Sequence, residues 1–185
     1  MILYFDFTKQ ATRAHILETV LKACNAEQLA NYEKVLENAF VPDYHHHDFV
    51  EVCETIDTFN APDEVKESMR GVYTILARAE AQVHGCKVEE THFHEVGNAS
   101  GIRNTLSICA ALYVLSPERI VATRVQPGCG QVECAHGLMD IPAPATAAIL
   151  SQGIPLLPEG ERIEGELCTP TSAAMIAYFV QEFQE

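Results

Sequence analysis

The sequence has no tryptophan and is short of basic residues. Across 185 residues, 12 Lys and Arg face 26 Asp and Glu, which gives a formal net charge of −14. Such a surface repels phosphate backbones and anionic lipids, so nucleic-acid binding and membrane binding are both disfavoured. It is compatible with divalent cations, although an acidic balance more commonly serves only to keep a protein soluble.

Several motifs that identify common enzyme classes are also missing. The chain contains no G-x-S-x-G elbow, no G-x-x-x-x-G-K-[ST] loop and no G-x-G-x-x-G after its first apolar run. These absences argue against an α/β-hydrolase, a P-loop nucleotide hydrolase and a Rossmann dinucleotide-binding enzyme.

Cysteine usage and the start of the chain indicate the compartment. The seven cysteines are odd in number and form no C-x-x-C pair. The first residues lack the basic region and the long apolar segment of a signal peptide, and no run is as long as a membrane span. Together these features favour free thiols and a cytoplasmic protein.

Composition and periodicity predict one compact α/β domain over residues 1–185, helix-rich and with a small mixed sheet. The chain is 48% hydrophobic, enough for a sizeable core. Ile2 to Phe7 is an apolar run typical of a buried strand. The clearest helix begins near Pro62 and ends at Gly85. Its predicted apolar side consists of Val65, Met69, Val72, Leu76 and Val83.

The last third of the chain carries the less regular predictions. Residues 118–185 form a candidate small sub-lobe. Arg119 to Val125 is predicted as a strand, with Gln131 to Cys134 as its hairpin partner across residues 127–130. Two helices follow, one opening at Pro144 and one at Thr169, the latter with an apolar stripe that extends to Phe183.

Histidine placement is the main functional signal. Five of the eight histidines fall into two groups, His45-His46-His47 and His92-x-His94. Neutral imidazole is the commonest transition-metal ligand, and two strand residues two apart project to one face. Glu95 follows directly as a further ligand or as an acceptor for a ring N–H. The alternative is that these histidines belong to a solvated, histidine-rich loop that binds no metal.

Two weaker constellations remain open. Cys129 and Cys134, with His136, would suit zinc or nickel, but their spacing matches no common structural zinc site, and free cysteines are often simply buried. The glycine cluster Pro127-Gly128-Cys129-Gly130 is either a turn or a nest of backbone N–H groups for an anion such as a phosphate.

Five segments in order resemble the LarC-type nickel-insertion family. They span residues 45 to about 180, and no single one of them would be specific. The segments are His45-His46-His47, Ala79-Glu80-Ala81-Gln82-Val83-His84-Gly85, His92-Phe93-His94-Glu95-Val96-Gly97, Cys134-Ala135-His136-Gly137 with Pro142-Ala143-Pro144-Ala145-Thr146, and Gly165-Glu166-Leu167-Cys168-Thr169-Pro170-Thr171.

The resemblance implies a role in making a nickel-pincer nucleotide cofactor. Such proteins insert nickel between two thiocarboxylate sulfurs and a ring carbon of a pyridinium mononucleotide, a lyase-type reaction that depends on CTP and is assisted by manganese. The metal ligands that it implies are His45, His46, His47, His92, His94 and Glu95. We add Asp6, because ligand sites of α/β sheets gather at the carboxyl ends of strands.

The sequence also departs from the family pattern. Phe7-Thr8-Lys9-Gln10-Ala11-Thr12 replaces a glycine-rich segment, two acids are missing from Ser100-Gly101-Ile102-Arg103-Asn104, and the family continues into a second half that is thought to carry the nucleotide. Three interpretations therefore stay open: a nickel-insertion component that needs a separate C-terminal-half-like protein or a homo-oligomer, a non-enzymatic metal-binding or delivery module, and a degenerate paralogue acting as a structural subunit.

Overall fold

The computed structural model of the chain describes residues 1–39, 41, 48–93, 99–134 and 137–184. The α/β class is confirmed, with helices dominating the described residues. The helices are α1 (Arg13–Ala23), α2 (Ala26–Asn38), α3 (Phe49–Asp57), α4 (Asp63–His84), α5 (Ala99–Leu115), α6 (Pro144–Leu150) and α7 (Pro170–Phe179), with 3₁₀ turns at Val88–Glu90 and Glu159–Glu161. The strands are β1 (Ile2–Phe5), β2 (Arg119–Ala122), β3 (Gly128–Cys129), β4 (Gln131–Cys134), β5 (Gly137–Asp140), β6 (Gly165–Glu166) and β7 (Glu182–Phe183).

Three strands form the main sheet, in the order β1-β2-β7, and all of them are parallel. Ile2 pairs with Arg119 and Phe5 with Ala122, so β1 and β2 are in register over their full length. The antiparallel strands lie outside this sheet in two separate pairs, β3 with β6 and β4 with β5. The parallel and antiparallel parts of the predicted mixed sheet are therefore distinct sheets.

The predicted hairpin between Arg119–Val125 and Gln131–Cys134 is wrong. Both edges of β2 are already occupied, by β1 on one side and β7 on the other. Strand β4 instead pairs with β5 through the turn that follows it, with Gln131 opposite Asp140. Strand β4 does belong to an antiparallel hairpin, as predicted. Its partner, however, is the strand that follows it and not the strand that precedes it.

The C-terminal helix is also shorter than predicted. It begins as expected, with the Thr169 side chain accepting a hydrogen bond from the backbone N–H of Ser172 at 3.4 Å. It ends at Phe179, and Phe183 lies in β7, beside Ala122 of β2. The apolar residue at helical spacing belongs to a strand because the chain turns back to complete the parallel sheet.

Helix α4 lies at the centre of the core and packs against α3, α5, α6 and α7. Its predicted apolar side is confirmed for Val65, Met69, Val72 and Leu76, each of which is fully buried. Val83 is 39% exposed, because the last turn of the helix projects beyond the core. The helix stops where Gly85 adopts a left-handed conformation, with φ of 65°.

Candidate metal site

The structure joins the two histidine-containing parts of the chain through one backbone bridge. Asp48, which directly follows His45–His47, forms an isolated antiparallel bridge with His92. Beside it, the backbone N–H of Phe49 donates to the carbonyl of Thr91 at 3.1 Å. The segment 91–93 is therefore extended, as predicted, and its partner is the residue that begins α3.

Asp48 is held in place by its role as the N-cap of α3. Its Oδ1 accepts a hydrogen bond from the backbone N–H of Glu51 at 2.8 Å. Capping satisfies a helix-end donor that would otherwise be unpaired, and it fixes the direction in which the chain enters the helix.

The other ends of the two segments are anchored to the same part of the molecule. Val41, just before residues 42–47, is buried, and its carbonyl accepts a hydrogen bond from Arg103 Nη2 at 3.4 Å. Arg103 belongs to α5, the helix that follows residues 94–98. Phe93 is buried against Tyr73, with ring centroids 5.6 Å apart. Residues 42–47 and 94–98 carry five of the predicted ligands. The described residues that flank these two segments therefore lie around α3, α5 and residues 91–93.

The predicted ligands differ in how far the structure describes them. His45, His46, His47, His94 and Glu95 lie outside the described residues. His92 is described and its side chain is exposed, so its imidazole is open to solvent. Within residues 1–39, 41, 48–93, 99–134 and 137–184, no group of three or more His, Cys, Asp or Glu side chains is arranged to hold an ion.

His84 belongs to the end of α4 and not to this bridge. Its Nε2 lies 3.4 Å from Glu80 Oε2, one turn earlier on the same helix. Thr91 Oγ1 donates to the carbonyl of Ala77, which lies seven residues before His84. At 1.5 Å per residue, that separation is roughly 10 Å along the helix. Residue 91 therefore returns along α4, and His92 lies beside Asp48.

Asp6 lies at the carboxyl end of β1, as predicted, and is exposed. Its Oδ1 accepts hydrogen bonds from the backbone N–H of Thr8 at 3.0 Å and from Thr8 Oγ1 at 2.6 Å. These bonds, aided by the charges of His15 and Lys9, lower the pKa of the Asp6 carboxyl below its ordinary value. The side chain is therefore an anion at neutral pH.

The glycine cluster is a structural junction and not an open anion nest. Gly128 N donates to Gln126 Oε1 at 3.2 Å, and Cys129 N donates to the carbonyl of Ile163 at 3.0 Å. Cys129 Sγ also lies 3.7 Å from the carbonyl of Arg162. The backbone N–H groups of Gly128 and Cys129 are thus already bonded within the protein. His136 and the side chain of Cys134 lie outside the described residues.

A separate cavity of about 650 Å³ lies at the far end of α3 from Asp48. It is lined by residues of α2, the last turn of α5 and the segment 60–62 that leads into α4. Helix α3 has nine residues, which correspond to roughly 13 Å. The cavity and Asp48 therefore lie at opposite ends of α3.

Two residues of the site were missed in the sequence. Asp48 carried a usable signal, because Asp48-x-x-Glu51 before an apolar stripe is typical of a helix N-terminus. Arg103 carried none, since its contact with the carbonyl of Val41 joins residues 62 positions apart. Local patterns identify a cap, whereas such a long-range hydrogen bond depends on how the helices pack.

A parallel sheet packed against helices, with Asp48 and His92 joined by a backbone bridge beside α3, defines an α/β domain with a candidate metal site. Over residues 7–185 the chain matches the family model described as nickel insertion protein, and it belongs to that family. No solved structure matches it.

Three relatives share the name pyridinium-3,5-bisthiocarboxylic acid mononucleotide nickel insertion protein. The protein of Staphylococcus saprophyticus is 40% identical over 133 residues, which cover 72% of this chain and 33% of the relative. That of Desulfitobacterium hafniense is 39% identical over 122 residues, 66% of this chain and 30% of the relative. That of Clostridium acetobutylicum is 39% identical over 135 residues, 73% of this chain and 31% of the relative. The matched part is therefore about a third of the length of these relatives.

None of the described helices is both long and apolar enough to cross a membrane.

Proposed function

We propose that this chain is the nickel-binding component of a nickel-insertion reaction in the biosynthesis of a nickel-pincer nucleotide cofactor. Nickel is the substrate, held by His92, His94 and Glu95 and captured by His45, His46 and His47, with Asp6 contributing negative charge at the end of β1. The acceptor is a pyridinium bisthiocarboxylate mononucleotide. Membership of the nickel insertion family supports the reaction.

The Asp48–His92 bridge is the observation that carries the assignment of the site. Chain connectivity keeps His47 one residue from Asp48 and His94 two residues from His92, and consecutive Cα atoms are about 3.8 Å apart. Two groups of imidazoles that are 45 residues apart in sequence thus have neighbouring attachment points. This supports a shared ion, because a transition metal needs several donors from separated parts of a chain.

The chemistry of the donors suits transfer and not storage. Imidazole and carboxylate are harder ligands than the thiocarboxylate sulfurs of the acceptor, so nickel gains from moving to sulfur. Arg103 places a guanidinium beside Val41, at the base of the 42–47 segment, and its positive charge opposes tight retention of a divalent cation. Both effects favour a site that binds nickel and then releases it.

Manganese and CTP are assigned to the part of the family's sequence that this chain does not span. Manganese prefers carboxylate oxygens. In the described stretches of the chain, no three carboxylate, imidazole or thiol groups are arranged for it. We therefore propose that turnover requires the remaining portion of the family's sequence, and that the reaction takes place in the cytoplasm, where the cysteines stay reduced.

Two other functions remain as alternatives. A delivery module would bind nickel with the same residues but would not need the mononucleotide. A structural subunit would bind no metal, and the loss of the glycine-rich segment and of the two acids near Ser100 and Asn104 favours such a degenerate role. Metal affinity separates the structural subunit from the nickel-insertion component and the delivery module, because only the last two bind nickel.

Calorimetric titration of the metal-free chain with Ni²⁺, Zn²⁺ and Mn²⁺ at neutral pH tests the proposal. We expect stoichiometric binding of nickel and weaker binding of manganese, following the order of ligand preference. Replacing His92 and His94 together by Ala, or His45, His46 and His47 together by Ala, should weaken nickel binding at least about 10-fold.

His84→Ala is the matched control, because it removes an imidazole that lies roughly 10 Å along α4 from the position of Thr91. Its nickel affinity should stay within about twofold of the unaltered chain. Unchanged affinity in the His92→Ala, His94→Ala variant would refute the site assignment. Absence of binding by all three ions would favour the structural subunit.

A further inference from the structure

Among the described residues, helices cover one face of the parallel main sheet and leave the other open. Leu3, Phe5, Ile120 and Ala122 point to its inner face and belong to the core, against Ile16 of α1 and Met175 of α7. Side chains alternate between the two faces of a strand, so Ile2 and Tyr4 point outward. Sheets made only of parallel strands almost always have both faces covered.

The exposed apolar side chains of the outer face lie on the edge strand β1, and its charged side chains lie on β2 and β7. We define the outer face as the surface formed by Met1, Ile2, Tyr4, Arg119, Val121 and Glu182. Ile2 is 61% exposed and Tyr4 48%, while Val121 beneath them is buried. Arg119 and Glu182 form an exposed ion pair at the side, with Nη1 and Oε2 3.0 Å apart. Exposed apolar residues flanked by charged ones are a feature of protein–protein interaction sites.

The edge of the sheet is open on the same side. In the sheet order β1-β2-β7, β1 is an outer strand, and among the described residues nothing pairs with its second edge. A strand edge of this kind presents unpaired backbone donors and acceptors, which usually must be covered or blunted by charge. Apolar residues, and not charged ones, occupy β1.

A second copy of this chain is a poor occupant of the surface. Each copy carries a formal charge of −14, so two copies repel one another when brought face to face. The matched relatives, by contrast, are about three times as long as the segment that they share with this chain. The family thus contains a large further portion that can pack against the segment described here.

We propose that the outer face and the free edge of β1 are the docking surface for the portion of the nickel insertion family's sequence that this chain does not span. This inference rests on the proposed function, which requires that portion for turnover. Docking covers Ile2 and Tyr4 and completes the second layer of the sheet, either by a helix on the outer face or by a strand added to β1.

Co-expression tests the proposal. The chain is tagged and produced together with the portion of the Staphylococcus saprophyticus relative that lies outside its 133-residue match, so that the two polypeptides can associate as they fold. We expect a one-to-one complex whose yield falls at least about 10-fold in the Ile2→Lys, Tyr4→Lys variant. The matched control is Ile163→Lys, Leu138→Lys, which adds the same charge at two apolar residues that are 48% and 67% exposed.

Hydroxyl-radical footprinting provides a second measurement that needs no substitution. Tyr4 should be protected in the complex, whereas Tyr178, which is 41% exposed and lies on α7, serves as the internal reference. Equal loss of the complex in both variants, no complex with any of them, or equal protection of both tyrosines would each overturn the proposal. A chain that alone has twice the monomer mass, and returns to monomer in the Ile2→Lys, Tyr4→Lys variant, would assign the face to a second copy.

Nickel titration of the same variants separates this inference from the proposed function. The Ile2→Lys, Tyr4→Lys variant should bind nickel as the unaltered chain does, because neither residue is among the proposed ligands. Loss of the complex with intact nickel binding supports the docking surface. A complex that forms normally in a chain without nickel affinity would refute the metal site and leave the docking surface in place.

Discussion

Gly128 shows how one residue can connect two parts of the chain. A Cβ atom at this position would lie 1.9 Å from the carbonyl oxygen of Gly165, and its φ of 87° is unfavourable for any other residue. The close approach allows β3 to pair with β6, which precedes α7. The glycine that suggested an anion nest in the sequence is therefore required by backbone packing.

Replacing Gly128 by Ala should destabilise the protein more than replacing Gly153 by Ala. Both glycines have positive φ, 87° and 101°, but nothing lies within 4 Å of a Cβ at Gly153. Gly153→Ala should cost about 1–2 kcal/mol from backbone strain. Gly128→Ala should cost about 2 kcal/mol more, because a backbone oxygen must move. Urea unfolding measures both, and equal losses would contradict the steric argument.

The types of the site residues could be predicted, but their arrangement could not. Imidazole chemistry identifies His92 as a candidate ligand without any structure. Its pairing with Asp48 joins residues 44 positions apart, and no local pattern encodes such a register. His84 and His92 are close in sequence, yet the connection between them runs back along α4 to Ala77.

At the level of elements, α3 connects stability to the metal site. Asp48→Ala removes the N-cap of α3 and loosens the anchor of the 42–47 segment. We expect it to cost about 1 kcal/mol of unfolding free energy and to weaken nickel binding about 10-fold. Asn25→Ala is the matched control, since Asn25 Oδ1 caps α2 in the same way, at 2.9 Å from Gln28 N.

Thermal unfolding and nickel titration of the two variants give the comparison. Both should lose similar stability, and only Asp48→Ala should lose nickel affinity. Loss of affinity in both would mean that general destabilisation is responsible. Unchanged affinity in both would remove Asp48 from any role at the site.

Helices were predicted better than strands for a physical reason. Helix α4 spans 22 residues and has an apolar stripe, an acidic first turn and a glycine stop, all of which are local signals. Strand β7 has two residues and is defined by pairing with β2, about 60 residues away, so its sequence looks like an extension of α7. Parallel pairing depends on the whole fold, and periodicity cannot reveal it.

At the scale of the whole molecule, one core joins the sheet to the helices, and two of its residues are thiols. Cys109 on α5 and Cys168 before α7 are both buried among apolar side chains. Burial raises the pKa of Cys168 to about 12, and it raises the pKa of Cys109 further above its ordinary range. Neither thiol is thus available as a metal ligand or nucleophile in the folded protein.

These thiols should make the protein sensitive to alkali. In the unfolded chain a cysteine ionises near pH 8.5, whereas in the folded chain Cys168 and Cys109 keep their protons to a much higher pH. Their contribution to stability is therefore complete below about pH 8.5 and is lost as the pH rises toward the folded pKa. Between pH 7 and pH 9.5 each thiol should cost about 1.4 kcal/mol of unfolding free energy.

Urea unfolding at pH 7 and at pH 9.5 measures this loss, and the Cys109→Ala, Cys168→Ala variant is the comparison. The variant should be less stable at pH 7, because two side chains are shortened in the core, but its stability should fall less as the pH rises. The difference between the two declines should be about 3 kcal/mol, twice the value for one thiol. Equal declines in the two proteins would show that other groups cause the alkaline loss, and would contradict the assignment of raised pKa values to these buried thiols.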